Sequence, residues 1–183
     1  MIERDFVVLV DESGNDLFNP DGTIATMEKI EAHCHGFLHR AISVFIFNER
    51  NELLLQKRAV RKYHSPNKWT NTCCTHPSPG ETPLATAQRR LGEEMGLTAA
   101  LAEVFTTCYR VDTGNGLIEN EFDHVFFGLS SQNPKPNPAE VSDWKWVALE
   151  ELEEDLRRNA ESYSPWLGRC FGEVIKHKSH FLG

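Results

Sequence analysis

Alternation and helical spacing divide the chain into short units. Phe6–Val7–Val8–Leu9–Val10 is an apolar run of strand length, and Glu12–Ser13–Gly14–Asn15 reads as the turn after it. Thr26 to Ala32 predicts a short helix leading into His33–Cys34–His35–Gly36. Phe37 to Phe47 is rich in β-branched and aromatic residues and predicts a central strand, which returns through Glu52 to Arg58 as a hairpin. Over Thr82 to Met95, Leu84, Ala87, Leu91 and Met95 recur at i, i+3, i+7 and i+11, one apolar stripe of a helix. Thr82 suits its N-cap, Pro83 its first turn and Gly96 its left-handed end. Glu103 to Asp112 and Leu117 to Leu129 predict two strands joined at Thr113–Gly114–Asn115–Gly116. Val141 to Val147 predicts another strand and Leu149 to Arg157 an acidic helix. Ser164–Pro165–Trp166 opens a last helix running towards Lys176.

With 183 residues, the chain can enclose one substantial core, so a single domain over 1–183 is expected. The net charge of −8 argues against a nucleic-acid partner, although clustered Arg and Lys can still attract a small anion. No apolar run approaches the ~20 residues of a bilayer span, and the first residues carry no signal-peptide pattern. Five cysteines, two of them adjacent at 73 and 74, suit free thiols in a reducing compartment better than a disulfide framework. A cytoplasmic protein with no membrane partner is therefore expected, with a monomer as the default. Cys34, Cys108 and Cys170 are expected to be small packed side chains.

The chemistry gathers at Trp69–Thr70–Asn71–Thr72–Cys73–Cys74–Thr75–His76–Pro77, where a thiol, Cys74, lies two residues before an imidazole, His76. The plainer reading is a buried Cys beside a stray His. On a strand Cys73 would face away from Cys74 and serve packing. Downstream, period two puts Glu119, Glu121 and Asp123 on one side of a strand, where like charges repel unless a cation lies among them. The alternative is a solvent-facing polar face. Arg58, Arg61, Lys62 and Lys68 form a basic loop, either an anion site or a solvated surface. Arg90 and Glu94, four apart, can share a helix face as a functional pair or a plain surface ion pair.

Four motifs in this order resemble the type 1 isopentenyl-diphosphate delta-isomerase family of the Nudix superfamily. They are Leu38–His39–Arg40–Ala41, the Trp69–Pro77 stretch, Glu119–Asn120–Glu121 and Ser164–Pro165–Trp166. The helix after Gly80 also resembles a degenerate Nudix box. Thr75 replaces its opening Gly and Arg90 an expected Glu, which favours the isomerase branch over a Nudix diphosphohydrolase. The resemblance implies an α+β fold: a single-domain α/β/α sandwich around a mixed sheet, with its core over about 28–166 and a last helix to about 178. It implies conversion of isopentenyl to dimethylallyl diphosphate through a tertiary carbocation, in isoprenoid biosynthesis. Cys74 and Glu121 would be the catalytic acid and base, in an order the sequence leaves open. His33, His39, His76, Glu119 and Glu121 would hold one divalent metal, Mn²⁺, Zn²⁺ or Mg²⁺. Glu94 would hold a Mg²⁺ with the diphosphate. Arg58, Lys62, Arg89 and Arg90 would contact the diphosphate, while Tyr109 and Trp166 would line the site. His35 competes with His33, because on an extended segment both project to the same side. A second rival is a non-catalytic zinc module, although this set has more ligands than a structural Zn²⁺ needs.

Overall fold

The computed structural model describes residues 5–181. In chain order these form β1 (Phe6–Val8), β2 (Thr26–Glu28), α1 (Lys29–His35), β3 (His39–Phe47), β4 (Leu53–Arg58), β5 (Trp69–Thr70) and β6 (Cys73–Thr75). Then come α2 (Pro83–Met95), β7 (Leu101–Gly114), β8 (Leu117–Leu129), β9 (Val141–Val147), α3 (Leu149–Arg158) and α4 (Pro165–Phe181). The main sheet runs β5-β4-β3-β8-β7, with β6 also on β3 and β9 also on β4. β3 pairs in parallel with β8 from His39↔Glu121 to Phe47↔Leu129, while the other pairings are antiparallel. Both faces of β3 are covered, which is why it ends in the apolar run Val44–Phe45–Ile46–Phe47.

One face packs Phe45, Phe47, Val125 and Phe127 against α3 and α4. The other packs Ile42, Val44, Ile46, Cys73 and Phe126 against Ala87, Leu91 and Met95 of α2. Each fully buried side chain of this size stabilises the fold by roughly 1.5–3 kcal/mol. Thr82 accepts a hydrogen bond from Ala85 N at 3.2 Å and caps α2 as expected. Gly96 closes the helix at φ 63°, and a Cβ there would stand 2.5 Å from the Lys135 carbonyl oxygen. Leu84, expected on the stripe, is exposed because it lies in the first turn, beyond the sheet's edge of contact.

The feature that positions the site is a split in the sheet. β3 and β4 pair at Phe47↔Leu53 and then diverge, β6 lying beside β3 and β5 and β9 beside β4. Thr72 spans the split. Its hydroxyl accepts from Ile46 N at 3.0 Å and donates to the Leu54 carbonyl at 2.6 Å. The Gln56 side chain donates to the Thr72 carbonyl at 2.8 Å. Thr72→Val keeps the shape but strands a buried donor and a buried acceptor. It is expected to cost about 2–4 kcal/mol, read as a lower urea midpoint, with Thr72→Ser losing much less.

Several elements differ from their sequence expectation. β1 ends at Val8, because the Asp11 carboxylate accepts from Ser13 N and Asn15 N and folds the chain into a tight turn. Leu9 then pairs singly with His39 and Val10 with Asp16. Thr26–Glu28 is strand, paired to Phe6–Val8, so the short helix starts later, at Lys29, and includes both His33 and His35. Helix α4 extends to Phe181, and β7 begins two residues early at Leu101. Cys170 is buried as expected, but Cys34 and Cys108 are exposed, on the outer sides of α1 and β7. No helix among the described residues is long and apolar enough to cross a membrane.

Candidate active site and metal centre

Five ligand-type side chains converge where α1, the start of β3, the end of β6 and β8 meet. One ligand atom from each of His33, His39, His76, Glu119 and Glu121 lies within 4.8 Å of all the others. The parallel register puts His39 beside Glu121. The pleat of β8 puts Glu119 and Glu121 on one buried face, not on a solvent-facing one. α1 separates its two histidines by nearly half a turn, so His33 is buried in the cluster and His35 is exposed. The expectation that both project to one side fails because the segment is helical. Gly36 ends α1 at φ 65°, and a Cβ there would meet Arg110 at 2.9 Å and Ile118 at 3.2 Å.

The cluster is built for a cation. His39 donates from Nδ1 to the Phe37 carbonyl at 2.8 Å, and His33 Nδ1 faces the Lys29 carbonyl in the same way. These bonds turn both Nε2 atoms inward. His33 Nε2 lies 2.9 Å from Glu119 Oε2, and His39 Nε2 lies 3.7 Å from Glu121 Oε1. Both Nε2 atoms and Glu119 Oε2 are buried without a hydrogen-bond partner. His76 Nε2 donates to Glu121 Oε1 at 2.8 Å, and the Tyr109 hydroxyl donates to Glu121 Oε2. Burial, then the neighbouring Glu121 charge, pushes the Glu119 carboxyl well up from the usual range. Burial also opposes charge on Glu121, but His39 and His76 outweigh it and hold that carboxyl down. Burial works against a charged His33 too, yet Glu119 outweighs it and raises its proton affinity. Burial keeps His76 neutral, its pKa lowered to about 3. Inward lone pairs facing crowded carboxylates fit a divalent ion, which would relieve the repulsion a single proton leaves. Asp123 continues this face of β8 but lies deeper, outside the cluster. Burial, then the Glu121 charge, pushes its carboxyl well up from the usual range.

Beside the cluster lies a cavity of about 60 Å³, lined among others by Cys74, Glu121, Tyr109, Trp166, Arg58 and Tyr63. The pleat of β6 turns Cys74 towards it, opposite Ser43, and buries Cys73 in the α2 face. Burial pushes the Cys74 thiol up to about 12, so it carries its proton at neutral pH. The segment that begins α4 locks onto the Trp69–Thr72 stretch. Ser164 N donates to the Trp69 carbonyl at 2.8 Å, the Thr70 and Ser164 hydroxyls meet at 2.7 Å, and Trp166 Nε1 donates to Asn71 Oδ1 at 3.3 Å. Two motifs about 95 residues apart thus fix the indole beside the thiol. The indole face already attracts one cation, the Arg58 guanidinium carbon lying 5.1 Å from the ring centroid.

A second, polar chamber of about 190 Å³ adjoins the first and shares Lys29, Lys62, Thr75, His76 and Arg90 with it. Arg89 also lines it. Lys62, Arg89 and Arg90 therefore meet as the sequence predicts. Arg58 lines only the first cavity, together with Lys62 and Arg90, and donates to the His64 carbonyl at 3.1 Å. Glu94 does not face either chamber. Its Oε1 takes a bond from Arg90 at 2.6 Å and its Oε2 one from Gln56 at 2.8 Å.

The sequence pattern did not mark Lys29, Tyr63 and His64 as lining residues. Lys29 opens α1 and faces both chambers, four residues before His33, a helical spacing that could have flagged it. Tyr63 and His64 sit in the basic loop, where no strand or helix period marks which side chains turn inward. His64 Nε2 lies 3.2 Å from Glu119 Oε1, and burial, then Arg58, lowers its pKa to about 2.

The NUDIX domain family matches residues 37–167. The chain is 49% identical over 176 residues to isopentenyl-diphosphate Delta-isomerase 2 of Aromatoleum aromaticum, covering 96% of this chain and 89% of that one. It is 48% identical over 168 residues to isopentenyl-diphosphate Delta-isomerase of Pectobacterium atrosepticum, covering 92% and 90%. Among solved structures, a Deinococcus radiodurans protein superposes with a TM-score of 0.72 at 17% identity, over 92% of this chain and 98% of that one. A MutT protein from Methanosarcina mazei superposes at 0.62 and 21% identity, over 78% and 95%. At these identities the structural matches speak for the fold alone.

Proposed function

Because this chain belongs to the isopentenyl-diphosphate Delta-isomerases of the NUDIX family, we propose that it interconverts isopentenyl and dimethylallyl diphosphate by adding a proton at one end of an allylic unit and removing one at the other. The observation that carries this reading is the joining of two unlike chambers. The inner one holds a thiol, a carboxylate and an indole; the outer one holds Arg89, and Lys29, Lys62 and Arg90 stand where the two join. A diphosphate head in the outer chamber would direct a five-carbon tail inward.

The chemistry follows from what an isolated alkene requires. Protonating its terminal carbon leaves a tertiary carbocation, and loss of a proton from C2 completes the shift. A proton donor and an acceptor must flank the flat tail, and Cys74 and Glu121 are the pair available. Cys74 stays a thiol through burial, and Tyr109 and His76 steer the Glu121 carboxylate. The cation needs stabilising without being trapped. The Trp166 face supplies a desolvated cation–π contact worth ~2 kcal/mol or more. Water must stay out, and the buried walls of the inner cavity serve that end. Opening of this cavity of about 60 Å³ would accompany substrate binding.

His33, His39, His76, Glu119 and Glu121 would hold one divalent ion, and the nitrogen-rich set suits Zn²⁺ or Mn²⁺ better than Mg²⁺. When bound, such an ion would cancel repulsion between the two carboxylates and lower the proton affinity of Glu121. Lys29, Lys62, Arg89 and Arg90 would grip the diphosphate, with Arg58 behind the indole. The free thiols suit a cytoplasmic setting. The Arg90 guanidinium neutralises Glu94 where a hydrolase would gather metal-binding acid, which argues against diphosphate cleavage.

The reading is tested by following isopentenyl diphosphate with the protein by proton and phosphorus magnetic resonance. A trisubstituted alkene should appear while the diphosphate ester stays whole. Phosphate release with the alkene unmoved would replace this reading with the hydrolase one.

A further inference from the structure

The cations that line the polar chamber are already paired with protein anions. Arg89 is held by Glu81 through two bonds, of 2.7 and 2.8 Å, and Lys29 Nζ lies 3.3 Å from Asp5. Glu140 differs from these partners: Glu81 does not line the chamber and Asp5 lines it but pairs with Lys29 alone, whereas Glu140 lines it and touches cations from two separate elements. Its Oε2 contacts Lys62 Nζ, from the loop after β4, and its Oε1 lies 3.4 Å from Arg90 Nη2, on α2. Burial opposes charge on Glu140, but Lys62, then Arg90, outweighs it and holds the carboxyl below its usual range. The side chain is therefore an anion seated between two of the groups that a diphosphate would need. Its backbone is tied down independently: the Glu140 carbonyl accepts from Ala59 N at 3.0 Å, and its N–H donates to Asn137 at 2.9 Å. The carboxylate can swing away without disturbing the strand that follows.

Building on the isomerase reading, we propose that Glu140 is a displaceable counter-anion, a positioning residue that closes on Lys62 and Arg90 when the head group leaves and competes with it when it returns. Substrate and product carry the same diphosphate, so a grip tight enough to hold one would also retain the other. Binding energy spent equally on both does not speed the chemistry, and slow release lowers turnover. A resident carboxylate weakens that uniform grip. It also keeps Lys62 paired when no head group is bound, where an unpaired half-buried cation is costly; Arg90 has Glu93 and Glu94 besides. A scaffold role predicts the reverse: removing Glu140 would misplace the cations and weaken the head group's binding.

The test measures binding of inorganic diphosphate by calorimetry to the metal-loaded wild type, to Glu140→Gln and to Glu140→Ala, with steady-state kinetics alongside. Both variants should bind diphosphate about fivefold more tightly. KM for isopentenyl diphosphate should fall with kcat, leaving kcat/KM equal or higher. Equal or weaker binding of diphosphate by both variants, with wild-type binding intact, would overturn this role and leave the isomerase reading standing. Absence of diphosphate binding by the wild type would overturn both. Two variants of different size guard against a packing effect of either one.

Discussion

Replacing Cys74 with alanine is expected to lower turnover of isopentenyl diphosphate by at least about 10³-fold, within the range that one positioned acid–base group supplies. The thiol stands on β6 opposite Ser43, at the edge of a cavity it shares with Glu121 and Trp166. Loss of one sulfur from a half-buried position removes little packing, so the fold should persist with a thermal midpoint within a few degrees of wild type. The metal cluster uses none of its atoms, so metal content should be unchanged. Turnover is to be measured with substrate saturating, since the diphosphate contacts lie elsewhere and KM should move little. Near-normal rates from this variant, or a fall explained wholly by KM, would remove Cys74 from the chemistry.

Stripping divalent ions with a chelator is expected to lower the rate by at least about 10²-fold. Without a cation, Glu119 and Glu121 face each other in a buried site, and their crowding raises the proton affinity of one of them. The acid–base balance at Glu121 then shifts and its geometry loosens. Restoring Mn²⁺, Zn²⁺ or Mg²⁺ should recover activity, and ion binding should raise the thermal midpoint because only the folded chain presents all five ligands. The check is metal content by mass spectrometry beside the rate at each stage. Full activity in a metal-free sample would contradict the assigned role of the cluster.

Much of this arrangement can be read before any coordinates, where one local rule dominates. Period two places Glu119 with Glu121 and separates Cys73 from Cys74, because a strand's pleat does not depend on its neighbours. The capped, striped α2 is equally local. Other features depend on contacts that sequence spacing does not carry. Choosing between His33 and His35 needs the knowledge that Lys29–His35 is helical, and the pairing of Thr26–Glu28 with Phe6–Val8 decides where that helix starts. The burial of Glu94 under Gln56 and Arg90 joins α2 to β4 across 38 residues, and Glu140 reaches Lys62 across 78. The bridging role of Thr72 exists only because the sheet splits, and no local pattern marks that split. Asp123 obeys the same period as Glu121 but lies too deep to join it, since a face shared along a strand is not a shared depth.

Running the reaction in D₂O tests the central claim most directly, because a proton delivered by a side chain in exchange with solvent must label the product. Dimethylallyl diphosphate formed by the wild type should carry deuterium in a methyl group, and recovered isopentenyl diphosphate should gain deuterium at C2 as the reaction reverses. Dimethylallyl product without solvent deuterium, formed over many turnovers, would contradict proton transfer through Cys74 and Glu121.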